Sequence, residues 1–285
     1  MSYLNFSDAK IYDCFTFFNE IDLLKFRLEY LYEHVEKFII SEANITFSGN
    51  KKDYNFWSRR GEFSRWIDKI EYIKFKPSIE QLNFSKPEYY NANHDAWKIE
   101  RGQRDALYGP LMDLDKNNNL IILTDVDEIW NPSLIRGLKS QEFGAARLQM
   151  SFYYFYMNCK GFGSGNKLWQ SPFCVTPSLM NSAKDAGFTK IRNEGQMPII
   201  ENAGWHFSYL GGEDAIINKI ESFSHQELNT EGVKNFDKIK RCVDLGLDPF
   251  DRRDHDWAFI HIESFPLDLS TLMRKYPKFL KTSLL

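Results

Sequence analysis

Three carboxylates close one short apolar run: Asn119-Leu120-Ile121-Ile122-Leu123-Thr124 is followed by Asp125-Val126-Asp127-Glu128. An apolar run of this length is the pattern of a strand buried on both faces. Side chains two apart on a strand point the same way, so Asp125 and Asp127 are expected to aim oxygens at one spot while Val126 turns inward. Open α/β sheets hold ligands beyond the carboxyl ends of their strands. Hard oxygen donors placed there suit Mg2+ or Mn2+, ions commonly shared with a substrate phosphate. Asp-x-Asp also has a plain reading, because acidic residues end many strands at wet loops. Asn131-Pro132 comes next, the signature of a helix cap and first turn.

The elements that would position those carboxylates precede them. Lys10 to Phe18 reads as a strand, and Ile21, Leu24, Leu28, Leu31 and Val35 mark one face of an amphipathic helix, with Asn19 as its cap. Phe38-Ile39-Ile40 reads as a second parallel strand, which completes a βαβ unit. Parallel strands share a carboxyl edge, so Asp13 and Glu42 are expected on the same edge as Asp125 and Asp127. The polar loop from Glu42 to Gly49 leads to Lys51, Lys52, Arg59 and Arg60, which could hold phosphates or simply form a solvated charge run. Ile70 to Phe75 alternates as a strand, and Pro77 to Asn93 as an irregular connection. A helix is predicted over Asp95 to Met112. Its Trp97, Arg101 and Arg104, at three- and four-residue steps, would flank the acidic edge or form a salt-bridged outer face.

The second half is more antiparallel in pattern. Ala145 to Tyr156 is an aromatic strand candidate, and Leu168-Trp169-Gln170 and Phe173-Cys174-Val175 are shorter pieces. Gly161 to Asn166 reads as a turn, and it lacks the Lys-Ser/Thr of a phosphate-binding loop. A mixed α/β sheet follows from this. In Gly204-Trp205-His206-Phe207-Ser208-Tyr209, a histidine sits inside an apolar aromatic strand. Gly211-Gly212 then precedes Glu213 and Asp214 at the start of a helix over Ala215 to Phe223. Acids there serve a helix N-terminus whether or not they do chemistry. Trp169, Trp205 and Tyr209 could stack on sugar rings or pack the core. Leu267 to Leu285 reads as a short helix with a basic end.

Composition narrows the class. A chain of 285 residues with net charge −3 is not a general nucleic-acid or membrane-surface binder, and it can bury a sizeable core. Its 24 Phe, 14 Tyr and 7 Trp supply that core and leave flat platforms for rings. Cys14, Cys159, Cys174 and Cys242 form no CxxC pair or zinc spacing, and Cys14 and Cys174 sit among apolar residues as buried thiols. With no signal-peptide core and no apolar run near membrane-spanning length, a soluble cytoplasmic protein is expected.

Four stretches in order resemble glycosyltransferase family 17. They are Tyr12 to Leu24, Glu42 to Gly49, Asp125 to Ile129 and Gly204 to Ser208, and they span roughly residues 10 to 225. The resemblance implies a GT-A-like, Rossmann-type nucleotide-sugar-binding fold with a mixed central sheet, as a single domain over 1–285. Residues of about 10–130 would bind the nucleotide sugar. Those of about 131–285 would bind the acceptor and carry C-terminal helices. It implies metal-dependent, inverting transfer of a sugar, GlcNAc from UDP-GlcNAc, to a glycan; the expected lack of the animal members' membrane anchor departs from the family and points to a soluble bacterial or viral type of enzyme. Asp125, Asp127 and His206, with His225 as second choice, would hold Mn2+ or Mg2+. Arg59, Arg60, Arg101, Arg104 and Asp125 would contact the donor, with Asp13 and Glu42 on uracil or ribose. Trp169, Trp205 and Tyr209 would meet the acceptor, and Glu213 or Asp214 would be the base. A metal-dependent phosphohydrolase or nucleotidyltransferase, or a non-catalytic glycan-binding protein, would share part of this pattern.

Overall fold

The structure is a computed structural model and describes residues 9–115, 118–137, 144–163, 168–182, 187–194 and 196–281. Its first half is a run of parallel strands: β1 (Lys10–Phe17), β2 (Lys37–Ala43), β3 (Ile70–Phe75) and β4 (Asn119–Asp125). They lie in the order β3-β2-β1-β4. The chain therefore steps outward from β1 to β3 and then returns to the far side of β1. That reversal leaves a crevice beyond the carboxyl ends of β1 and β4, where Thr16 stands opposite Asp125.

Strand alternation sorts the two faces. Phe15, Phe17, Phe38 and Ile40 meet helix α1 (Ile21–Leu31) and the short helix α2 (Asn55–Ser58) on one side. Cys14, Ile39, Ile121 and Leu123 meet Leu107, Leu111 and Phe188 on the other. Helix α3 (Asp95–Asp105) is shorter than the sequence suggests. Beyond Asp105 the chain tightens into a 3-10 turn through Leu111 that contains Pro110, which has no backbone N–H to extend an α-helix.

The same sheet continues into the second half. After β5 (Glu128–Trp130) and helix α4 (Pro132–Gly137), Asn131 Oδ1 accepts from the backbone N–H of Ser133 and caps α4. β8 (Phe173–Val175) runs antiparallel to β4 and to the long β6 (Ala145–Tyr154). β7 (Cys159–Phe162) and β10 (Asp256–Phe259) extend the far edge. β9 (Ile199–Ser208) pairs parallel with β6 and antiparallel with β5. Helices α5 (Pro177–Ser182), α6 (Gly187–Glu194), α7 (Glu213–Ser222), α8 (Phe236–Leu245) and α9 (Leu267–Met273) cover this half. Leu168 and Gln170 are not strand, since only Trp169 bridges to Met150. Ser164, Gly165 and Asn166 of the expected glycine turn lie outside the described residues. All four cysteines are free and buried.

Candidate active site

A cleft of about 790 Å3 opens at the carboxyl ends of β1 and β4, walled by α3, α6, α7 and the end of β9. Six cations line it (Lys52, Arg101, Arg104, Arg147, Arg192 and Lys219) against four carboxylates: Glu20, Glu100, Asp125 and Asp127. The surplus suits an anionic ligand.

Asp125 and Asp127 have different partners because β4 ends at Asp125 and the chain turns before β5 starts at Glu128. The expected alternation thus stops one residue short. Asp125 accepts from Arg104 (3.1 Å) and Thr16 (3.0 Å) on one oxygen and from Arg192 (3.1 Å) on the other. Burial alone would raise its affinity for a proton, but Arg192 and then Arg104 outweigh that and hold it far below the usual carboxylate range. With both oxygens taken by guanidinium groups, Asp125 does not fit as a metal ligand.

Asp127 accepts from the Lys219 ammonium at 2.8 Å on one oxygen, and its other oxygen lies 3.5 Å from His206 Nε2. Burial again works upward, yet Lys219 and then His206 keep this carboxyl well below its ordinary value. His206 reaches the cleft because β9 alternates: Trp205 and Phe207 face the core, while His206 and Ser208 line the cleft. Its ring packs against both Phe152 and Trp169, each with centroids 4.6 Å away, and its Nδ1 is buried without a partner. The alignment of β9 requires glycine at position 204, where an added Cβ would fall 2.2 Å from the carbonyl oxygen of Ile129.

Two ligands at about 2.1 Å from one ion can stand up to about 4.2 Å apart, so Asp127 and His206 fit a shared divalent ion. Among the described residues no group of three or more metal-ligating side chains exists, so substrate oxygens and water would have to complete the coordination. A dication about 4 Å from the Lys219 ammonium would meet a repulsion of about 8 kcal/mol at an effective dielectric near 20. That repulsion favours release of Lys219 from Asp127 when an ion binds.

Several expected site residues lie elsewhere. Asp13 is fully buried and accepts from Arg27 and the Trp130 indole, so it has no surface to offer uracil or ribose. Glu42, also fully buried, accepts from Lys52, Tyr72 and the backbone N–H groups of Asn55 and Phe56, where it holds the start of α2. Arg59 is exposed and pairs with Glu62, and Arg60 stacks on Trp57, both off the cleft wall. Trp205 packs on Tyr30 in the core. Tyr209 is buried against Tyr154, with the Lys219 ammonium 5.1 Å over its ring. Glu213 and Asp214 occupy the first turn of α7 and do not line the cleft.

Arg101, Arg104, Trp169 and His225 do line it. Trp169 donates its indole N–H to Glu128, and His225 packs edge-on to Trp97 at 4.8 Å. Residues that the sequence reading passed over include Glu20, Arg27, Arg192 and Lys219. Arg27 had a visible signal, a charge on the apolar face of α1 between Leu24 and Leu28. Glu20 is the cleft carboxylate whose proton affinity is raised: burial lifts it, with Lys219 opposing. One of its oxygens accepts from the backbone N–H groups of Phe18 and Asn19.

A cation-rich crevice at the switch point of a mixed α/β sheet is where Rossmann-like folds hold their ligands. The chain belongs to glycosyltransferase family 17, whose sequence profile matches residues 3–281, and it is a glycosyltransferase. No curated protein sequence matches it significantly. Among solved structures it is similar to the inositol-1-phosphate CTP transferase from T. maritima, at 12% identity and a TM-score of 0.35, over 65% of this chain and 73% of that one. Among the described residues no helix is long and apolar enough to cross a membrane.

Proposed function

We propose that the cleft binds a nucleotide-sugar donor, UDP-GlcNAc by family resemblance, and passes its sugar to a glycan hydroxyl with inversion. The observation that carries this reading is the pairing of Asp127 with His206 at the switch point, inside a wall where cations outnumber carboxylates. The acceptor oxygen attacks the anomeric carbon while the bond from that carbon to the diphosphate oxygen breaks, its electron pair leaving with the diphosphate. A divalent ion held by Asp127 and His206 supplies Lewis-acid charge to that leaving group when bound.

The protein's own groups do the remaining work. Glu20 takes the acceptor's proton, because it is the cleft carboxylate that burial makes basic, whereas Asp125 and Asp127 are held anionic by their partners. Arg104 and Arg192, anchored on Asp125, present fixed positive charge beside the diphosphate. Trp169 and the Trp97–His225 pair offer flat faces to sugar or base.

The test is a panel of nucleotide sugars scored by thermal stabilisation with Mn2+, followed by UDP release. A UDP-sugar at 100 times its Kd adds about 2.7 kcal/mol of stability. Asp127→Ala should fold normally and lose at least 100-fold in transfer. Absence of stabilisation by every nucleotide sugar, or full turnover by Asp127→Ala, sinks the reading.

A further inference from the structure

Lys219 has a place in this cleft that neither the family nor the mechanism above assigns. It stands in the last turns of α7, its ammonium reaches the turn after β4, and its side chain is 28% exposed on the cleft wall. Of its three N–H groups, one meets Asp127 at 2.8 Å, and the contact to Ser208 Oγ is long, at 3.4 Å. The ammonium therefore retains donor capacity beside the point where a diphosphate would lie.

The neighbouring cations cannot move in the same way. Arg104 is shared between Glu100 and Asp125, and Arg192 between Asp125 and Glu128, which fixes both planar groups. A lysine has a flexible four-carbon stem and a point charge with no fixed fork. Its partner Asp127 is also the carboxylate best placed to meet a divalent ion. Ammonium and ion would share one carboxylate, the ammonium on Oδ2 and the ion between Oδ1 and His206 Nε2, so they repel each other, and a diphosphate would attract both.

We propose that Lys219 is a catalytic cation with two alternating partners: Asp127 in the donor-free protein, and the donor's diphosphate once it is bound. Lys219 guards Asp127 against free divalent ions and turns to the leaving group's oxygens when donor arrives. The proposal rests on the nucleotide-sugar reading and makes ion and nucleotide binding cooperative.

The experiment is Mn2+ binding to the full chain, followed by electron paramagnetic resonance with and without UDP, for wild type, Lys219→Met and Lys219→Arg. Isothermal titration of UDP runs in parallel. Wild type and Lys219→Arg should bind Mn2+ weakly alone and at least tenfold more tightly with UDP. Lys219→Met should bind Mn2+ alone at least tenfold more tightly than wild type, yet release UDP from the donor at least 100-fold more slowly. Equal Mn2+ affinity of nucleotide-free wild type and Lys219→Met overturns the proposal, as does wild-type donor turnover by Lys219→Met. Failure of UDP to bind wild type with or without Mn2+ refutes the nucleotide-sugar reading first, and this proposal with it. Lys219→Arg keeps the charge, so a folding defect confined to Lys219→Met leaves a decisive comparison: Mn2+ bound by nucleotide-free Lys219→Arg as tightly as with UDP overturns the proposal.

Discussion

Arg27 is fully buried, and replacing it should cost more than any other single change in the framework of the site. Its guanidinium makes six contacts: two to Asp13 (2.6 and 2.8 Å), one to Thr124 Oγ1 (2.6 Å), and three to the backbone carbonyls of Asp125, Val126 and Glu128. Those three carbonyls define the turn that carries Asp127. Arg27→Met keeps much of the stem but leaves the Asp13 carboxylate buried and uncompensated, a change worth about 3–5 kcal/mol. Against a total of roughly 5–15 kcal/mol, that is a large share. With a urea slope of about 3 kcal/mol per molar, the unfolding midpoint should drop by about 1–1.7 M.

The site should respond as well as the fold. Arg27→Lys offers three donors on a point charge in place of a five-donor fork, so it should fail nearly as badly. The double variant Asp13→Leu with Arg27→Met removes both charges and should recover part of the loss, since an apolar replacement of a buried pair is often tolerated. It should not recover nucleotide binding, because the carbonyls of the turn remain without their donor. A midpoint drop in Arg27→Met smaller than about 0.3 M, the size expected for a surface pair, would refute the argument.

Three further outcomes follow from the same geometry. Glu20→Gln should lower kcat by about 100- to 10,000-fold with little change in donor affinity. Because burial raises Glu20, the wild-type rate should fall on the acid side at a pH above the ordinary glutamate value near 4.3, and the variant should lose that limb. Asp125 is depressed by Arg192 and Arg104 despite burial, so its contribution to stability is full above about pH 4 and is lost as pH falls through its lower folded value. Asp125→Asn should therefore be less stable than wild type at pH 7, with the gap in urea midpoint narrowing progressively as pH falls below about 4. Gly204→Ala drives a methyl into the Ile129 carbonyl, and a melting temperature within 1 °C of wild type would contradict the close packing of β5 on β9.

Much of the fold was legible because period-2 and period-3.6 patterns dominate its first half. The strand over Ile70–Phe75 falls where its alternation places it, and the buried strand ending at Asp125 falls where its unbroken apolar run does. The Asp95 helix was overextended because Leu107 and Leu111 keep a helical apolar spacing through a 3-10 turn, and spacing alone does not separate the two. Trp205 was ambiguous for a related reason. An aromatic on a strand serves core or ligand according to which face it takes, and the register that decides this comes from the bulge between Leu148 and Met150 and from Gly204.

The site was harder to read, because type and spacing show which charges could meet a ligand but not which are already matched by the protein. Asp13 stands in mid-strand and Glu42 and Asp125 at strand ends, and each is answered from another element: Asp13 by Arg27, Glu42 by Lys52 and Tyr72, Asp125 by Arg104 and Arg192. A buried acid is retained only with such a partner, so its burial is itself the sign of a structural role. Asp127 differs in the kind of partner it has. Its cation is a partly exposed lysine on a flexible stem, and its other neighbour is an imidazole, a side chain that commonly ligates metals. The carboxylates held by arginine keep the turn in place, and the one held by lysine is left free to exchange its partner. Chemistry that requires charge to be delivered as a bond breaks needs both kinds in one cleft.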